Sequence, residues 1–482
     1  MRAIFTVSLT MTAFALAAAQ VREVWRYEFD PPADKLARLE RVVRLQDGGW
    51  LLLGSVQTDQ NGNDALAIRL TPNGTAAWVY QTDGAGFDDA FVDGVESVNE
   101  NDLLLLGRFT DSDGYLQAQV HRVSRQTGQL RSIQTRTNAL GGHLRPLRFG
   151  YDDLLWLYAE LVSFSGESQL IVYDTEEFLG YGVFPFRPWG VSYTPNARDA
   201  KPFVGGTAAT PTSLVDARIL LYNDFVFRYS GPARGFDIPV ALAPIIQDGW
   251  TRGVYSAIVS EGSFTGDDVV LMRHDPPWND WGYRYDYQLQ DDHPESLVVD
   301  SQGRAHLLVR TVLWRDEPFE TQILRLVRFS ERGMVQEDVM LDIPPRRPLW
   351  GLLRLNAAGQ RFVATPTLLG RIGDDGQLVW RLDPKASYTE LFAEPDGSLV
   401  AAGDRPVLNQ SQYEVSRRIV VVKYAPSVDI NGDGCVDDAD LLAVLFAFGQ
   451  SGSNLTPDVN GDGVVDDADL LAVLFAFGEG CS

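Results

Sequence analysis

The chain has 482 residues, 45% of them hydrophobic and 22% charged, with a net charge of −24. This is an ordinary globular mixture in a chain longer than one ordinary domain. The acidic balance, with no clustered Lys or Arg, argues against nucleic acid as a partner.

The first residues, MRAIFTVSLTMTAFALAAAQ, read as a signal peptide spanning residues 1–19. Arg2 supplies the positive start, and Ala3 to Leu16 is an apolar run too short to span a bilayer. Ala17-Ala18-Ala19 fits a small-residue cleavage site, which leaves Gln20 as the mature N-terminus. The expectation is a secreted or cell-surface protein that is not transmembrane. Export also provides the calcium-rich medium that weak oxygen-ligand sites need.

Residues 20–425 read as one long all-β region. A strand–turn–strand phrase recurs, clearest in Leu45-Gln46-Asp47-Gly48-Gly49-Trp50 running on to Gly54. Further copies start at Val98, Val299, Leu355 and Ala393. Each sets Asp, Asn or Gly between two apolar runs, a hairpin signal. A second phrase follows, as in Ala65–Leu70, the turn Thr71-Pro72-Asn73-Gly74, and Ala76–Tyr80. Two hairpins per period of roughly 45 to 50 residues make four strands per unit, the pattern of a β-propeller blade. The wording around Asp47–Trp50 and Pro72–Trp78 resembles that of secreted bacterial propellers. The units begin near Leu39, Val92, Leu144, Gly190, Pro239, Ser296, Trp350 and Thr389. About eight blades are expected, or seven if the weakly patterned stretches 190–235 or 345–383 fail to form one. Val24 to Phe29 has no partner nearby, and the last unit lacks a fourth strand. The first strand is therefore expected to close the last sheet, which removes an exposed edge.

This region offers little catalytic chemistry. Its histidines are His121, His143, His274, His293 and His306. None stands four residues from another on a zinc-binding helix, and there is no G-x-S-x-G elbow or phosphate loop. His306 lies inside an apolar run and reads as a core residue. His274-Asp275 and Asp292-His293 lie at strand ends and are candidates to face a central pocket. Most aspartates fall in Asp-Gly turns, where their task is backbone geometry. Asp111-Ser112-Asp113-Gly114 reads as such a turn rather than a calcium loop. Ser124 to Gln129 holds a Thr-Gly turn resembling that of quinoprotein blades, without the tryptophan dock, so no quinone cofactor is expected.

After a short hinge at 426–428, one sequence is written twice. Asp429 to Gly449 and Asp458 to Gly478 differ only at Ile430/Val459 and Cys435/Val464, and they lie roughly 29 residues apart. Each copy opens with acidic or amide residues at alternate positions and a glycine at position 6, then continues into an apolar helix. Calcium prefers six to eight hard oxygens, and this spacing delivers them. The ligand set is Asp429, Asn431, Asp433, the Cys435 carbonyl, Asp437 and Asp440 in the first loop. In the second it is Asp458, Asn460, Asp462, the Val464 carbonyl, Asp466 and Asp469. From Ser427 onward there are 11 acidic residues and no Lys or Arg.

The doubled loop and helix, with Val436 and Val465 at position 8, resembles the type I dockerin repeat. The resemblance covers about the last 55 residues of the chain. It implies two bound calcium ions and docking onto a cohesin-like or other cell-surface protein. The clostridial members carry Ser/Thr at positions 10 and 11 and basic residues at 17 and 18. Here those places hold Asp438, Ala439, Leu445 and Phe446, and Asp467, Ala468, Leu474 and Phe475. Calcium binding carries over; a clostridial-type partner does not. Such modules usually ride on polysaccharide-degrading enzymes. The propeller is nonetheless read first as a recognition platform for a polysaccharide or protein ligand. The alternatives are a glycoside hydrolase or lyase and a structural surface protein.

The two cysteines, Cys435 and Cys481, both lie in the tail. Twofold packing of the paired units would bring the end of the second helix beside the first loop, so a disulfide between them is expected.

Overall fold

The computed structural model describes residues 21–482, except 59–61, 85–87, 98–100, 137–143, 152–154, 162–167, 175–176, 185–186, 194–201, 211–212, 222–224, 230, 232–235, 262–265, 276–280, 314–320, 344–348, 374, 432–434, 453–454, 461, 480 and 482. The expected signal segment and His143 lie outside the described residues. The chain separates into two compact units, residues 23–425 and residues 1–22 with 426–482.

The first unit is almost wholly β. After β1 (Val21–Phe29), the first sheet is β2 (Ala37–Arg44), β3 (Trp50–Thr58), β4 (Gly62–Leu70) and β5 (Ala76–Thr82). The second is β6 (Ala90–Glu96), β7 (Asp102–Thr110), β8 (Leu116–Ser124) and β9 (Leu130–Arg136). The third is β10 (Leu144–Tyr151), β11 (Leu155–Leu161), β12 (Ser168–Asp174) and β13 (Glu177–Phe184). The fourth is β14 (Arg187–Tyr193), β15 (Pro202–Thr210), β16 (Ser213–Leu221) and β17 (Phe225–Tyr229). The fifth is β18 (Asp237–Gln247), β19 (Trp250–Glu261), β20 (Asp267–His274) and β21 (Trp281–Tyr285). The sixth is β22 (Asp291–Val299), β23 (Ala305–Leu313), β24 (Thr321–Phe329) and β25 (Val335–Met340). The seventh is β26 (Leu352–Leu355), β27 (Arg361–Thr365), β28 (Leu368–Ile372) and β29 (Leu378–Leu382). The eighth is β30 (Ser387–Ala393), β31 (Leu399–Leu408) and β32 (Glu414–Pro426), and β1 lies beside β32 as its fourth strand.

The described residues thus form eight four-stranded antiparallel sheets, including the two stretches with weak patterning. The N-terminal strand completes the last sheet as the sequence led one to expect. The first strand of each sheet packs on the first strand of the next, from β2 and β6 onward, and β30 packs back on β2. Second and third strands are buried on both faces because neighbouring sheets cover them. Trp50 to Val56 is buried throughout, and so are Leu103 to Leu106. Such strands read as continuous apolar runs rather than alternating ones. Fourth strands alternate instead, as in β5, where Trp78 turns inward between exposed neighbours.

One feature repeats on the first strands. Seven of the eight carry a register shift that leaves one residue unpaired: Glu40, Val92, Leu147, Trp189, Val240, Glu295 and Thr389. Pro146, Pro188, Pro239 and Pro294 stand directly before four of these bulges, where a residue without an N–H disturbs the ladder least. A bulge bends the strand and re-aims the side chain after it.

A second repeated feature corrects the sequence reading. The Ser124–Gln129 turn does receive a tryptophan. Trp78 of the preceding sheet lies against Gly128, and its Nε1 donates to the Arg125 carbonyl at 2.9 Å. Trp25 lies against Gly74 in the same way, and Trp281 against Gly333. These glycines have φ of +70°, +76° and +77°. The indole comes from another sheet, about 50 residues away in the chain, so no local pattern announced it.

The histidines also differ from expectation in part. His306 is buried as expected, with Nε2 3.1 Å from Asp300 Oδ2. His274 does not face a central pocket. It is buried on the third strand of its sheet, 3.1 Å from Ser256 Oγ, and burial pushes it down to about 4. Asp111 forms a plain turn, accepting from the Asp113 and Tyr115 amides at 3.0 and 2.9 Å.

In the second unit, each repeat gives one helix, α1 (Asp438–Ala447) and α2 (Asp467–Phe475). The helices pack around Val436, Val444, Val465 and Val473. The pairing is reciprocal. Val436 N donates to Glu479 O and Val436 O accepts from Gly478 N, at 2.9 and 2.8 Å. Val465 N donates to Gln450 O and Val465 O accepts from Gly449 N, at 2.9 and 2.7 Å. Each loop is thereby stitched to the residues that follow the other helix. This brings Cys435 beside Cys481, and the two form the expected disulfide. In the other half, Ser451 bridges Val464 at the matching place. No helix among the described residues is long and apolar enough to cross a membrane.

Candidate functional site

The aspartates at positions 9 and 12 of each repeat have a task that spacing alone did not show. Asp437 caps α1 by accepting from the Ala439 amide at 2.8 Å. Asp440 Oδ2 accepts in return from Asp437 N at 3.0 Å, a reciprocal capping box. Asp466 and Asp469 do the same for α2, at 2.9 Å each. Both helices therefore start with carboxylates at their positive ends. The remaining oxygen of the position-12 residue reaches back to the start of its loop. Asp440 Oδ1 accepts from Ile430 N at 2.6 Å and Asn431 N at 3.1 Å. Asp469 Oδ1 accepts from Asn460 N at 3.0 Å. Both residues are fully buried.

The second loop curls around its own side-chain oxygens. Asp458 accepts from the Asp462 and Gly463 amides at 3.1 and 2.8 Å. Asn460 Oδ1 accepts from Asp462 N at 2.9 Å, and Asp462 Oδ1 from Val464 N at 3.0 Å. Gly463 takes φ +94°, which position 6 requires. Positions 1, 3 and 5 bond amides of this turn, position 12 bonds the Asn460 amide, and all offer hard oxygen. That donor set suits calcium and leaves soft metals no ligand. In the first loop, Asp433 and Gly434 lie outside the described residues. The Cys435 side chain is taken by the disulfide, which leaves position 7 its backbone carbonyl alone.

The two repeats also carry identical exposed apolar residues on their helices and just past the helix ends. Leu442, Leu445, Phe446 and Phe448 of the first copy match Leu471, Leu474, Phe475 and Phe477 of the second. Phe446 is 82% exposed and Phe475 85%.

The strand unit contains a pocket that sequence reasoning missed. It lies between the eighth, first and seventh sheets, measures about 540 Å³, and is lined by Arg41, Arg44, Arg354, Phe392, Glu390 and Glu394 among others. Two of its lining residues, Arg41 and Glu390, follow bulges. Arg41 Nη1 donates to Glu390 Oε1 at 2.7 Å, and Arg41 Nε lies 3.7 Å from Asp93 Oδ1. The only sequence signal would have been the register of the first strands, and the bulges shift it by one.

A third feature is a set of buried carboxylates three positions before a bulge. Asp89 accepts from Gly84 N and Thr110 N, at 2.6 and 2.9 Å. Asp237 accepts from Gly231 N and Asp292 from Tyr287 N, both at 2.7 Å. Each ties the incoming connection to the first strand. Burial raises Asp89 to about 6 and Asp292 to about 7. Asp268 and Asp286 gather beside Asp292, and Arg284 pairs with Asp268.

No family model matches the sequence, and no curated protein matches it. Among solved structures, the chain is similar to a europium-containing methanol dehydrogenase at 9% identity, with 84% of this chain and 94% of that one covered and a TM-score of 0.49. It is similar to the quinohemoprotein alcohol dehydrogenase of Comamonas testosteroni at 10% identity, covering 84% and 76% with a TM-score of 0.47. It is also similar to the polysaccharide lyase Uly1 at 10% identity, covering 80% and 89% with a TM-score of 0.41.

Proposed function

We propose that this chain is an exported protein in which an eight-bladed β-propeller, residues 20–425, is a recognition platform. A dockerin-like module, residues 429–482, loads two calcium ions and docks the platform onto a cohesin-like or other surface protein. The observation that carries the docking is the duplicated apolar surface. Eight exposed leucines and phenylalanines, in matching places on α1 and α2 and just past their ends, have no place on a helix pair that serves only itself. Exposed apolar surface of this kind marks interaction sites. The closed series of eight sheets supports the propeller.

Calcium would be held by Asp429, Asn431, Asp433, the Cys435 carbonyl, Asp437 and Asp440, and by Asp458, Asn460, Asp462, the Val464 carbonyl, Asp466 and Asp469. When bound it neutralises carboxylates in a segment without Lys or Arg. The chain's own residues fix the geometry, because the capping boxes join each loop to the start of its helix. The test is a pull-down from the native cell envelope with the full chain. A partner retained in calcium, and lost both in chelator and with Phe446→Ala/Phe475→Ala, supports the reading. A partner retained equally by the double variant removes the apolar surface from it.

A further inference from the structure

We infer that the Cys435–Cys481 disulfide is a redox switch on the first calcium loop. Oxidised, it holds that loop ready for calcium; reduced, it lets the loop's affinity fall below that of the second. The inference rests on the proposed calcium loading of residues 429–482 and deepens it. The two repeats differ only at Ile430/Val459 and Cys435/Val464, so the second loop is a built-in control for the first. Cys435 stands at position 7, where the backbone carbonyl is the ligand and the side chain has no part in the ligand set.

The bond reaches the ligands through the backbone. Val436, next to Cys435, exchanges hydrogen bonds with Gly478 and Glu479 at 2.8 and 2.9 Å. Asp437, position 9, follows; it caps α1, and its amide donates to Asp440 Oδ2 at 3.0 Å. Asp440, position 12, accepts on its other oxygen from the amide of Asn431, position 3, at 3.1 Å. Anchoring Cys435 therefore restricts the backbone at positions 7, 9 and 12 together. In the second copy the same place is held without sulfur: Ser451 bridges Val464, and Gly452 N donates to Gly463 O at 2.9 Å. Those contacts exist only in the folded loop. The disulfide also restricts the unfolded one, by tying residues 46 apart. From Ser427 onward there are 11 acidic residues and no Lys or Arg, so an unloaded tail repels itself, and the bond and the cation stabilise the same fold. Preorganisation of this kind appears as affinity. Linkage makes it mutual: the factor by which the bond raises calcium affinity is the factor by which calcium raises the bond's resistance to reduction.

Cys481 is exposed and Cys435 half-buried, so a dithiol can reach the bond. Reduction moves two electrons and two protons from the dithiol, breaks the Sγ–Sγ bond into two thiols and closes the dithiol into its own cyclic disulfide. The chain has two cysteines, both in this bond, so no other group in it responds. Disulfides persist in extracellular surroundings and are rare in the cytosol. The first loop is accordingly ready for calcium only after export.

The experiment is calcium titration calorimetry on two full-length single-loop variants, oxidised and after dithiothreitol. Asp458→Ala leaves the first loop and Asp429→Ala the second. A ring of this size constrains the chain by about a thousandfold in an equilibrium constant when wholly expressed. Reduction is expected to weaken calcium by at least about tenfold in Asp458→Ala and by less than about threefold in Asp429→Ala. Unchanged affinity in Asp458→Ala overturns the inference. Equal weakening of both variants overturns it too, because the bond is then a brace for the whole tail. Should a variant bind too weakly to titrate, the wild-type chain decides. Reduced, and with calcium lowered stepwise, residues 435–440 should lose hydrogen-exchange protection before residues 464–469, and simultaneous loss overturns the inference. Half-reduction, read by thiol alkylation and mass spectrometry, should need at least about tenfold more dithiothreitol in calcium than in chelator. Equal resistance in the two media overturns the coupling while leaving calcium binding standing. An oxidised wild-type chain that takes up no calcium overturns the calcium reading and the switch with it.

Discussion

Trp78 lies flat against Gly128, a residue of the next sheet that has φ +70° and no room for a Cβ. A Cβ built there would meet the indole at 2.7 Å. Gly128→Val is expected to cost about 2–4 kcal/mol, from left-handed backbone strain and a displaced indole. Gly114→Ala is the control. Gly114 has φ +85° but nothing within 4 Å, so only the backbone cost applies. Urea midpoints followed by tryptophan emission separate the two, and equal losses would show that the dock adds nothing.

Buried carboxylates should make the strand unit less stable at alkaline pH. Burial raises Asp292 to about 7 and Asp89 and Asp404 to about 6, from an ordinary 3.8. Between those values the folded chain holds protons that the unfolded chain has lost. Stability from these groups is therefore greatest near and below pH 4 and falls as pH rises to about 7. In calcium-saturated protein, the urea midpoint should drop from pH 5.5 to pH 8.5, and Asp292→Asn should flatten that drop. A midpoint that climbs over the same range would contradict the burial argument.

The disulfide joins residues 46 apart in sequence. Its chain-entropy constraint is about 4 kcal/mol for a ring of that size. Cys435→Ser/Cys481→Ser should expose residues 429–482 to hydrogen exchange at calcium levels where the wild type is protected. The 23–425 unit should be unaffected. Equal protection in the tail would show that Val436 and its hydrogen bonds to Gly478 and Glu479 suffice.

Much of this was legible in the sequence because it is local. The hairpin phrases marked most of the sheets and left the count at seven or eight, and each sheet begins within a few residues of its expected start. The lone strand Val24–Phe29 found the one sheet that lacked a member. The repeat placed the Gly463 turn, both helices and the cysteine pair correctly. What stayed hidden depends on partners distant in the chain. Trp78 meets Gly128 only after two sheets stack. Arg41 meets Glu390 only after the series of sheets closes and a bulge re-aims both. Asp89 and Asp237 carried no signal of their own, and Asp292 was read as a strand-end residue facing a central pocket, until their burial showed them tying incoming connections to first strands. Asp440 and Asp469 were read as ligands alone, and their capping of α1 and α2 appears only with the helix ends in view.

Calcium titrated calorimetrically into the chelator-stripped full chain decides the central proposal, a calcium-loaded docking tail. Two ions per chain are expected for the wild type, and none in the loops of Asp429→Ala/Asp458→Ala, which removes position 1 from both. The wild-type tail should also gain helix on loading. Undiminished binding by the double variant, or a wild-type chain that takes up no calcium, would contradict it.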